Sequence, residues 1–467
     1  MGLLPLLLAF VAIGGSTPPA SASTLFTITT NPSLVPAFAT TTYDYAVRCA
    51  GHNTALSSTG PGKVTIGGKT FNEPVSKNLN LRPNHAVYVA EGGHAYAIRC
   101  LPSDFPGYRA IVQGTPQAHG YLVGLAPTAG VKHLTYYVVA FDNHGVPVWW
   151  YDNPSSPINA AFYGTSGIGW WLGTNVTPGV GDGTYTIHNL DGTVKTAVGN
   201  PSAGTGLDLH DFQVLPNGDF LGIQYVNATL DLSSWGLSTT QPVLDCVITE
   251  LNPAGQIVWS WSTIGHIDVA AANANWHSQA PDVIHMNSVQ ELGNQIIFSA
   301  RHLDAVYDIN MATGNVNWKL GGTATPQSLT VVGNTYPQVF SGQHDARYQS
   351  NGTLTVHDNA TQETSNSVRA LRFQIDTTAM TATDQEQVTD SFHPSPAPCC
   401  GSVDKLSSGD WVVDWGESNY TTELTPAGSP QIQINYYPYF SYRTAVVPIS
   451  DGALSRGMDA QYAPVHL

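Results

Sequence analysis

Three histidines and one arginine are the side chains whose types and spacing in this sequence suggest chemistry. His210, His285 and His344 each stand near the start of a segment that reads as strand, turn and strand, and Arg301 ends the middle one, DVIHMNSVQELGNQIIFSAR. Antiparallel strands joined by a tight turn, here at Gly293, bring their two ends to one edge of a sheet. His285 and Arg301 are therefore predicted to be neighbours.

These residue types suit the transfer of an anionic group. Arginine presents a planar fork of donors that matches sulfuryl or phosphoryl oxygens, and histidine can act as a donor, an acid–base group or a covalent nucleophile. The three histidines are predicted to occupy equivalent positions of successive repeats. Asn159 and Gly401 stand near that position elsewhere, so the fold itself does not require histidine there. The set is predicted to form one site.

Strand alternation predicts the direction in which other polar side chains near the histidines point. Asp211 and Asp345 directly follow two of the histidines, so they are expected to point away from them and to hold strand edges together. Asn287 lies two residues after His285 and is expected on the same face, where it could orient an imidazole nitrogen or a substrate oxygen.

A repeated pattern must position these residues. From about residue 119, six copies of a strand–turn–strand segment follow one another, and nearly all are preceded by a second hairpin. Two hairpins make a four-stranded antiparallel blade, and six blades make a β-propeller. The first blade is expected to begin with GYLVGLAP, and SYRTAVVPIS is expected to return to it and close the ring. The histidines and the arginine would then meet at one mouth of the central channel.

The chain is predicted to be all-β with three parts. Residues 1–22 read as a secretory signal peptide, residues 23–118 as a small N-terminal antiparallel β-sandwich domain, and residues 119–467 as a six-bladed β-propeller catalytic domain. No long segment has the apolar period of a helix. A secreted or extracytoplasmic protein without a membrane span is expected.

The five cysteines fit an oxidising compartment. Cys49 and Cys100 lie in two strand-like segments of one small region and are expected to pair. Cys246 could bond to one member of the adjacent pair Cys399 and Cys400, or the adjacent pair could form a vicinal disulfide. The sequence does not decide between these pairings, and one thiol is left over in either case.

Charge restricts the partners. With only 17 Lys plus Arg and a formal net charge of −16, nucleic acid and anionic membranes are not expected as partners. A small anionic substrate would have to be bound by a local arrangement such as Arg301 and the histidines, because the overall field of the protein repels it.

Two functions of other classes compete with group transfer. Three histidines could bind Zn or Cu, but a metal site is expected to add a carboxylate behind each ring, and Arg301 would repel the cation. No metal is therefore expected. A propeller that only binds a ligand is the non-enzymatic alternative, and it would bind an anionic ligand without transferring a group from it.

Residues 119–467 resemble the PAPS-independent arylsulfotransferase (aryl-sulfate sulfotransferase) family. The resemblance rests on DLHDFQVLPNGDFL, IHMNSVQEL…IIFSAR, TGNVNWKLGG, GQHDARYQSNGTLTVHDN and CCGSVDKLSSGDWVVDWG. It implies a six-bladed propeller after an N-terminal β-sandwich. It also implies transfer of a sulfuryl group from a phenolic sulfate ester to a phenolic acceptor through a sulfo-histidine intermediate, without a cofactor.

The resemblance also assigns residues. The nucleophile would be the histidine of the Gln343-His344 motif. The other residues that it assigns to the sulfuryl group are His210, His285, Arg301 and the nearby Asn287. The spacing from His285 to Arg301 is slightly short for the family. The aromatic residues that clamp the phenol ring lie in variable regions; the candidates, each of which is more simply explained by core packing, are Tyr151, Tyr163, Trp170, Trp276 and Tyr348.

Overall fold

The computed structural model describes residues 25–49, 53–132, 134–165, 167–177, 179–269, 272, 274–362, 367–389 and 396–467. The predicted signal peptide lies outside these residues. Within them the protein is all-β, as the sequence predicts. No helix in this part of the chain is both long and apolar enough to span a bilayer.

Two sheets form the N-terminal part. Their strands are β1 Thr27–Asn31, β2 Asp44–Val47, β3 Thr54–Thr59, β4 Lys63–Ile66, β5 Lys69–Asn72, β6 Val75–Leu79, β7 Ala86–Glu91 and β8 His94–Cys100. One sheet has the order β1-β3-β6 and the other β2-β8-β7-β4-β5. Strand β2 runs parallel to β8, whereas the sequence predicted antiparallel pairing. Leu56 and Ile98, one from each sheet, share a buried core, and Cys49 and Cys100 are disulfide-bonded as predicted.

Six further sheets, predominantly antiparallel, follow β9 (Arg109–Val112) within the described residues. The strands of the first three sheets are β10 Gly120–Pro127, β11 Tyr136–Asp142, β12 Pro147–Asn153; β13 Ile158–Tyr163, β14 Gly167–Thr177, β15 Val180–Asn189, β16 Val194–Val198; and β17 Phe212–Val214, β18 Phe220–Leu230, β19 Gln241–Leu251, β20 Ile257–Ser262. Each run of strands pairs in chain order, so each sheet is a meander.

The remaining three sheets continue the pattern. Their strands are β21 Met286–Leu292, β22 Gln295–Ala300, β23 Ala305–Asn310, β24 Val316–Gly321; β25 Thr330–Val332, β26 His344–Tyr348, β27 Thr353–Asp358, β28 Arg369–Asp376, β29 Thr381–Thr389; and β30 Ser402–Lys405, β31 Trp411–Asp414, β32 Tyr420–Leu424, β33 Pro430–Asn435. Strand β25 pairs in parallel with β29 at the outer edge. Strand β9 joins the last sheet through β33, although its residues fall in the range predicted for the N-terminal domain.

The end of the chain returns to the first of these sheets. Strands β34 (Tyr439–Phe440) and β35 (Thr444–Val446) both pair with β10, as expected for the segment SYRTAVVPIS. Contacts between sheets run in chain order: β10 contacts β13, β15 contacts β18, β18 contacts β21, β21 contacts β26, β26 contacts β30, and β30 contacts β35. Because β35 is paired with β10, this series of contacts comes back to its starting sheet.

Helices are few and short. Helix α1 spans Asp451–Gln461 and was not predicted. Its Leu454 and Met458, one turn apart, are fully buried, and the helix packs on β12, where Met458 Sδ accepts the Trp150 backbone N–H at 3.4 Å. The 3-10 helices within the described ranges are Pro201–Ala203, Ser233–Trp235, Ala274–Gln279 and Arg301–Leu303.

A buried ion network ties three of the sheets together. Asp211 is 2.8 Å from Arg347 and 3.2 Å from Arg443, and Asp345 is 2.8 Å from Arg347. Both carboxylates also accept backbone N–H groups of the following sheet, at 2.7 Å for Asp211 and 3.0 Å for Asp345. They therefore hold strand edges together, as the sequence predicts. All four charged residues line a cavity of about 450 Å³.

Removing one charge from this network should lower stability. Asp211 is 3% exposed, so Asp211→Asn leaves Arg347 and Arg443 with one carboxylate between them, and breaking a buried pair costs about 3–5 kcal/mol. Urea unfolding should show a loss of that size, whereas Asp231→Asn, in an exposed turn, should leave the free energy of unfolding unchanged. Equal stability of the two variants would contradict a structural role for the network.

Candidate functional site

The hairpin of β21 and β22 brings His285 and Arg301 together, as predicted. The strands pair from Met286 opposite Ala300 to the turn at Gly293, whose φ of +68° is favoured by glycine. The Arg301 backbone N–H then donates to the His285 carbonyl at 2.9 Å. A tight hairpin thus brings His285 and Arg301 together despite the short sequence spacing between them.

The prediction that the three histidines occupy equivalent positions is wrong for His285. In three successive sheets, one side chain accepts a backbone N–H from a strand of the following sheet. These side chains are Asp211, Ser288 and Asp345, and the donors lie on β21, β26 and β30, respectively. The residue before each of these is His210, Asn287 and His344, so Asn287 takes the equivalent place. His285 lies two residues earlier, has a φ of +53°, and precedes an irregularity in the pairing of β21.

All four predicted groups nevertheless line one cavity of about 480 Å³. The rings of His210 and His285 are 4.6 Å apart, and Arg301 and His344 face the same space. The other residues lining the cavity are Ile158, Gly179, Leu209, Ser278, Gln279, Ala280, Pro281, Asp282, His302, Cys399, Cys400, Glu417, Phe440 and Tyr442. The cavity therefore combines a polar side with an apolar and aromatic side, which is typical of small-molecule sites.

Asn287 and Gln343 lie behind this cavity and are not among the described residues that line it. Both are fully buried. Asn287 Nδ2 donates to the Gln343 carbonyl at 2.7 Å, and Gln343 Nε2 donates to Ser299 Oγ at 2.9 Å and to the Ala305 carbonyl at 3.0 Å. Their contacts fix the backbone that precedes His344.

The protonation of His344 follows from its contacts. Its Nδ1 faces Asn359 Oδ1 at 2.7 Å and the Gly342 carbonyl at 3.1 Å. Asn359 Nδ2 donates to the Cys400 carbonyl, so the amide oxygen is the atom facing the ring. Both partners are acceptors, and Nδ1 therefore carries the proton. Nε2 keeps its lone pair and receives the Cys400 backbone N–H at 3.2 Å.

The vicinal pair left open by the sequence is bonded. Cys399 and Cys400 form a disulfide at the cavity wall, and Cys246 is a free, buried thiol. The Cys400 backbone has a φ of +70°. The bridge fixes the peptide whose N–H points at His344 Nε2, so it belongs to the candidate site.

Two of the histidines have carboxylate partners, contrary to the expectation that no carboxylate stands beside them. His210 Nδ1 is hydrogen-bonded to Asp208, and His285 Nδ1 lies 2.6 Å from Asp282 Oδ2. Neither carboxylate was singled out in the sequence, although each precedes its histidine by only two or three residues. The absence of such partners can therefore not be used against a metal site.

His302 is the fourth imidazole of the cavity and was also missed. Its Nδ1 is 2.8 Å from the Asp282 carbonyl, its Nε2 is 2.8 Å from Arg301 Nη1, and its ring stacks on Trp276 at 4.6 Å. Arg301 also donates through Nη2 to the Pro398 carbonyl at 2.7 Å. These hydrogen-bond partners of Arg301 are uncharged. His302 could have been identified in the sequence from its position directly after Arg301.

Burial keeps three of the imidazoles that line the cavity neutral. It lowers the pKa of His285, His302 and His344 well below the ordinary value of 6.5, and neighbouring imidazoles and the Arg301 guanidinium lower these pKa values further. Burial also lowers the pKa of Arg301. A buried cation among neutral rings attracts an anion. The cavity can therefore bind an anionic group while His344 Nε2 stays unprotonated.

The aromatic residues at the cavity are mostly not those proposed from the sequence. Phe440 and Tyr442 line it, and the Tyr442 ring lies 5.8 Å from His210. Of the five candidates, Trp276 stands under Arg301 at 4.8 Å. Tyr163 lines the cavity of the ion network. Tyr151, Trp170 and Tyr348 pack in or against the core.

One group in the cavity has the ligand types for a metal ion. Ligand atoms of Asp282, His285 and His302 lie within 4.8 Å of one another. However, Asp282 already accepts from His285, and His302 Nε2 accepts from the cationic Arg301. A metal ion on His302 Nε2 would have to break the contact with Arg301 and lie beside a guanidinium.

Comparison with known proteins identifies the family. Residues 164–436 match the model of the arylsulfotransferase (ASST) family. This match spans more than half of the chain and includes every residue of the site predicted from the sequence. The protein belongs to the arylsulfotransferase family, a family of sulfotransferase enzymes. No curated protein matches the chain.

Similar solved structures are distant. A protein of unknown function from Bacteroides caccae is 12% identical with a TM-score of 0.41, covering 71% of this chain and 100% of that one. The periplasmic gluconolactonase PpgL of Pseudomonas aeruginosa is 12% identical with a TM-score of 0.39, covering 70% and 99%. A streptogramin B lyase is 11% identical with a TM-score of 0.35, covering 70% and 86%. Similarities at this level do not indicate a shared activity.

The tautomer of His344 can be observed directly. In ¹⁵N-histidine spectra at pH 6, the signals that disappear in His344→Asn should be those of a neutral ring with its proton on Nδ1, because burial and Arg301 hold its pKa well below 6.5. The exposed His94, assigned through His94→Asn, provides the comparison. A protonated ring at pH 6, or a proton on Nε2, would contradict the assignment.

Proposed function

We propose that the protein is a PAPS-independent aryl-sulfate sulfotransferase that works by double displacement at His344. The observation that carries the proposal is the convergence of an unprotonated His344 Nε2, a buried Arg301 and three further imidazoles on one cavity. Phe440 and Tyr442 on the wall of that cavity offer surfaces for an aromatic ring. Neither a nucleotide nor a metal is required by this chemistry.

The proposed setting of the site is a propeller in an exported protein. The six sheets of residues 109–446, with their contacts returning to the first sheet, support a six-bladed β-propeller. The two sheets that precede it support an N-terminal β-sandwich over most of residues 23–118. Two disulfides, Cys49–Cys100 and Cys399–Cys400, support an oxidising, extracytoplasmic location.

In the first half of the reaction, an aryl sulfate enters with its sulfuryl group toward His344. The Nε2 lone pair leaves its hydrogen bond with the Cys400 N–H and forms a bond to sulfur, while the ester S–O bond breaks and its electron pair leaves on the phenol oxygen. Arg301 donates to sulfuryl oxygens, whose charge shifts in the transition state. His285, neutral in the free cavity and held at Nδ1 by Asp282, is proposed to take up one proton from solvent together with the anionic group, so that its Nε2–H donates to a sulfuryl oxygen.

His210 is proposed to carry the proton. With Asp208 on Nδ1, a protonated His210 can donate Nε2–H to the leaving phenol oxygen and becomes neutral. In the second half, it takes the proton of the acceptor phenol, whose oxygen attacks sulfur and breaks the N–S bond of the sulfo-histidine. His344 then regains its lone pair, as ping-pong kinetics require. With water as the acceptor, the net reaction would be sulfate ester hydrolysis.

Asn287 and Gln343 are proposed to position the nucleophile from behind. Asn287 bonds to the Gln343 carbonyl, and Gln343 bonds to the strand that leads to Arg301. The two side chains therefore connect the supports of His344 and Arg301. Contact of either side chain with the sulfuryl group is not needed for this role.

Loss of the nucleophile should abolish transfer. His344→Ala should lower release of phenol from 4-nitrophenyl sulfate by about 10³-fold or more, because the attacking lone pair is removed. His94→Ala, at the exposed start of strand β8, should keep wild-type turnover. Turnover in His344→Ala would reject the nucleophile, and activity lost to a chelator and restored by Zn or Cu would favour the metal site at Asp282, His285 and His302.

The fork of Arg301 should matter as well as its charge. Arg301→Lys keeps one positive charge but loses the planar donors that bind His302, Pro398 and the sulfuryl oxygens. We expect a fall in kcat/KM of about 100-fold. The matched change Arg109→Lys, on the exposed strand β9, should have no effect. A fully active Arg301→Lys would show that a point charge is sufficient.

A further inference from the structure

His302 holds the Arg301 guanidinium in one orientation through a defined pair of hydrogen bonds. The Asp282 carbonyl can only accept, so His302 Nδ1 carries the proton that bridges their 2.8 Å contact. Arg301 Nη1 can only donate, so His302 Nε2 accepts at 2.8 Å. The two contacts require one neutral tautomer of His302, and they fix the ring at both nitrogens.

Trp276 and its hydrogen-bond partners fix the positions of both His302 and Arg301. Trp276 stacks against the His302 ring at 4.6 Å and lies 4.8 Å from the centre of the Arg301 guanidinium. Trp276 Nε1 donates to Asp304 Oδ2 at 2.9 Å, and Asp304 Oδ1 accepts the Gly342 N–H at 2.9 Å. Gly342 is in turn one of the acceptors of His344 Nδ1. The support of Arg301 is thus continuous with the support of the nucleophile.

The choice of an imidazole at this position has an electrostatic consequence. A carboxylate in the place of His302 would neutralise Arg301 and weaken its attraction for an anion. A neutral acceptor orients the guanidinium and leaves its charge for the ligand. Among the described residues, Arg301 Nη1 donates to His302 and Nη2 to Pro398; each carries a second N–H, and Arg301 lines the cavity, so donors remain for a bound anion.

We propose that His302 is a positioning residue for Arg301: as a neutral acceptor at Nε2, it aligns the guanidinium for the sulfuryl group without neutralising it. This role rests on the proposed function. The groups that face His302 are the His285 ring at 4.7 Å, the Asp282 backbone carbonyl, the Arg301 guanidinium and the Trp276 ring. His302 itself does not need to touch the substrate.

Two amide variants of His302 separate a role in positioning Arg301 from a role in packing. The His302→Asn side chain can still donate to the Asp282 carbonyl but is too short to accept from Arg301, whereas the His302→Gln oxygen can reach the place of Nε2. We expect kcat/KM for 4-nitrophenyl sulfate to fall about 100-fold in His302→Asn, the size expected for a misplaced transition-state donor. His302→Gln should stay within about tenfold of the wild type. Equal losses in both variants, or an unaffected His302→Asn, would overturn the proposal.

A double-variant cycle tests whether His302 acts through Arg301. In an Arg301→Gln background, His302→Asn should cost less than about threefold more, because the group that it positions is already gone. A full and additional 100-fold loss would overturn the proposal. The control is His188→Asn: His188 is a buried histidine stacked on Trp170 at 4.2 Å that does not line this cavity. It should retain wild-type kcat/KM.

Failure of this proposal is distinct from failure of the proposed function. If His344→Ala abolishes transfer and Arg301→Gln lowers it to a small measurable rate, but His302→Asn is fully active, only the role of His302 is rejected. If the wild-type protein releases no phenol from aryl sulfates, or His344→Ala remains active, the proposed function fails first. Near-UV circular dichroism and urea unfolding of each variant show that a loss of rate is not a loss of fold.

Discussion

The ion pairs that Asp211 and Asp345 form with Arg347 and Arg443 are the constraint on which the arrangement of the site depends. Each carboxylate directly follows a cavity histidine, and the histidine and the carboxylate of each pair line different cavities. Locking the carboxylates into a buried network on one side therefore commits His210 and His344 to the other side. The cavity of about 480 Å³ and the cavity of about 450 Å³ lie on the two sides of this division.

The cavity separates two electrostatic tasks. Arg301 supplies a buried positive charge, and its hydrogen bonds go to the neutral His302 and to the carbonyl of Pro398. His344 stays neutral because burial and that same charge lower its pKa, and two acceptors keep its proton on Nδ1. A nucleophilic lone pair and an anion-binding cation thus coexist in one space.

Most of the fold could be predicted from the hydrophobic periodicity and the turn residues of the sequence. The hairpin of His285 and Arg301, the returning strand of residues 444–446 and the Cys49–Cys100 disulfide were all predictable, because each depends on local pattern or proximity. What failed depended on tertiary context. Strand alternation alone could not place His285, whose positive φ breaks the phase of the repeat, and helix α1 is stabilised by its packing on β12.

The residues that support the histidines and Arg301 of the cavity were the hardest to predict from the sequence. Asp208, Asp282 and His302 act through contacts with single ring nitrogens or with the guanidinium, and such contacts leave no periodic signal. Asn287 was expected at the substrate because it shares a strand face with His285 in an ideal strand. The irregularity in β21 instead turns it toward the Gln343 carbonyl.

The central claim is that His344 Nε2 carries the sulfuryl group between donor and acceptor. Its most direct test is the intact mass of the protein, quenched after mixing with 4-nitrophenyl sulfate in the absence of an acceptor. The account predicts a gain equal to one sulfuryl group, located on His344 and lost when a phenol is added. Transfer from donor to acceptor with no covalent gain at any time would contradict it.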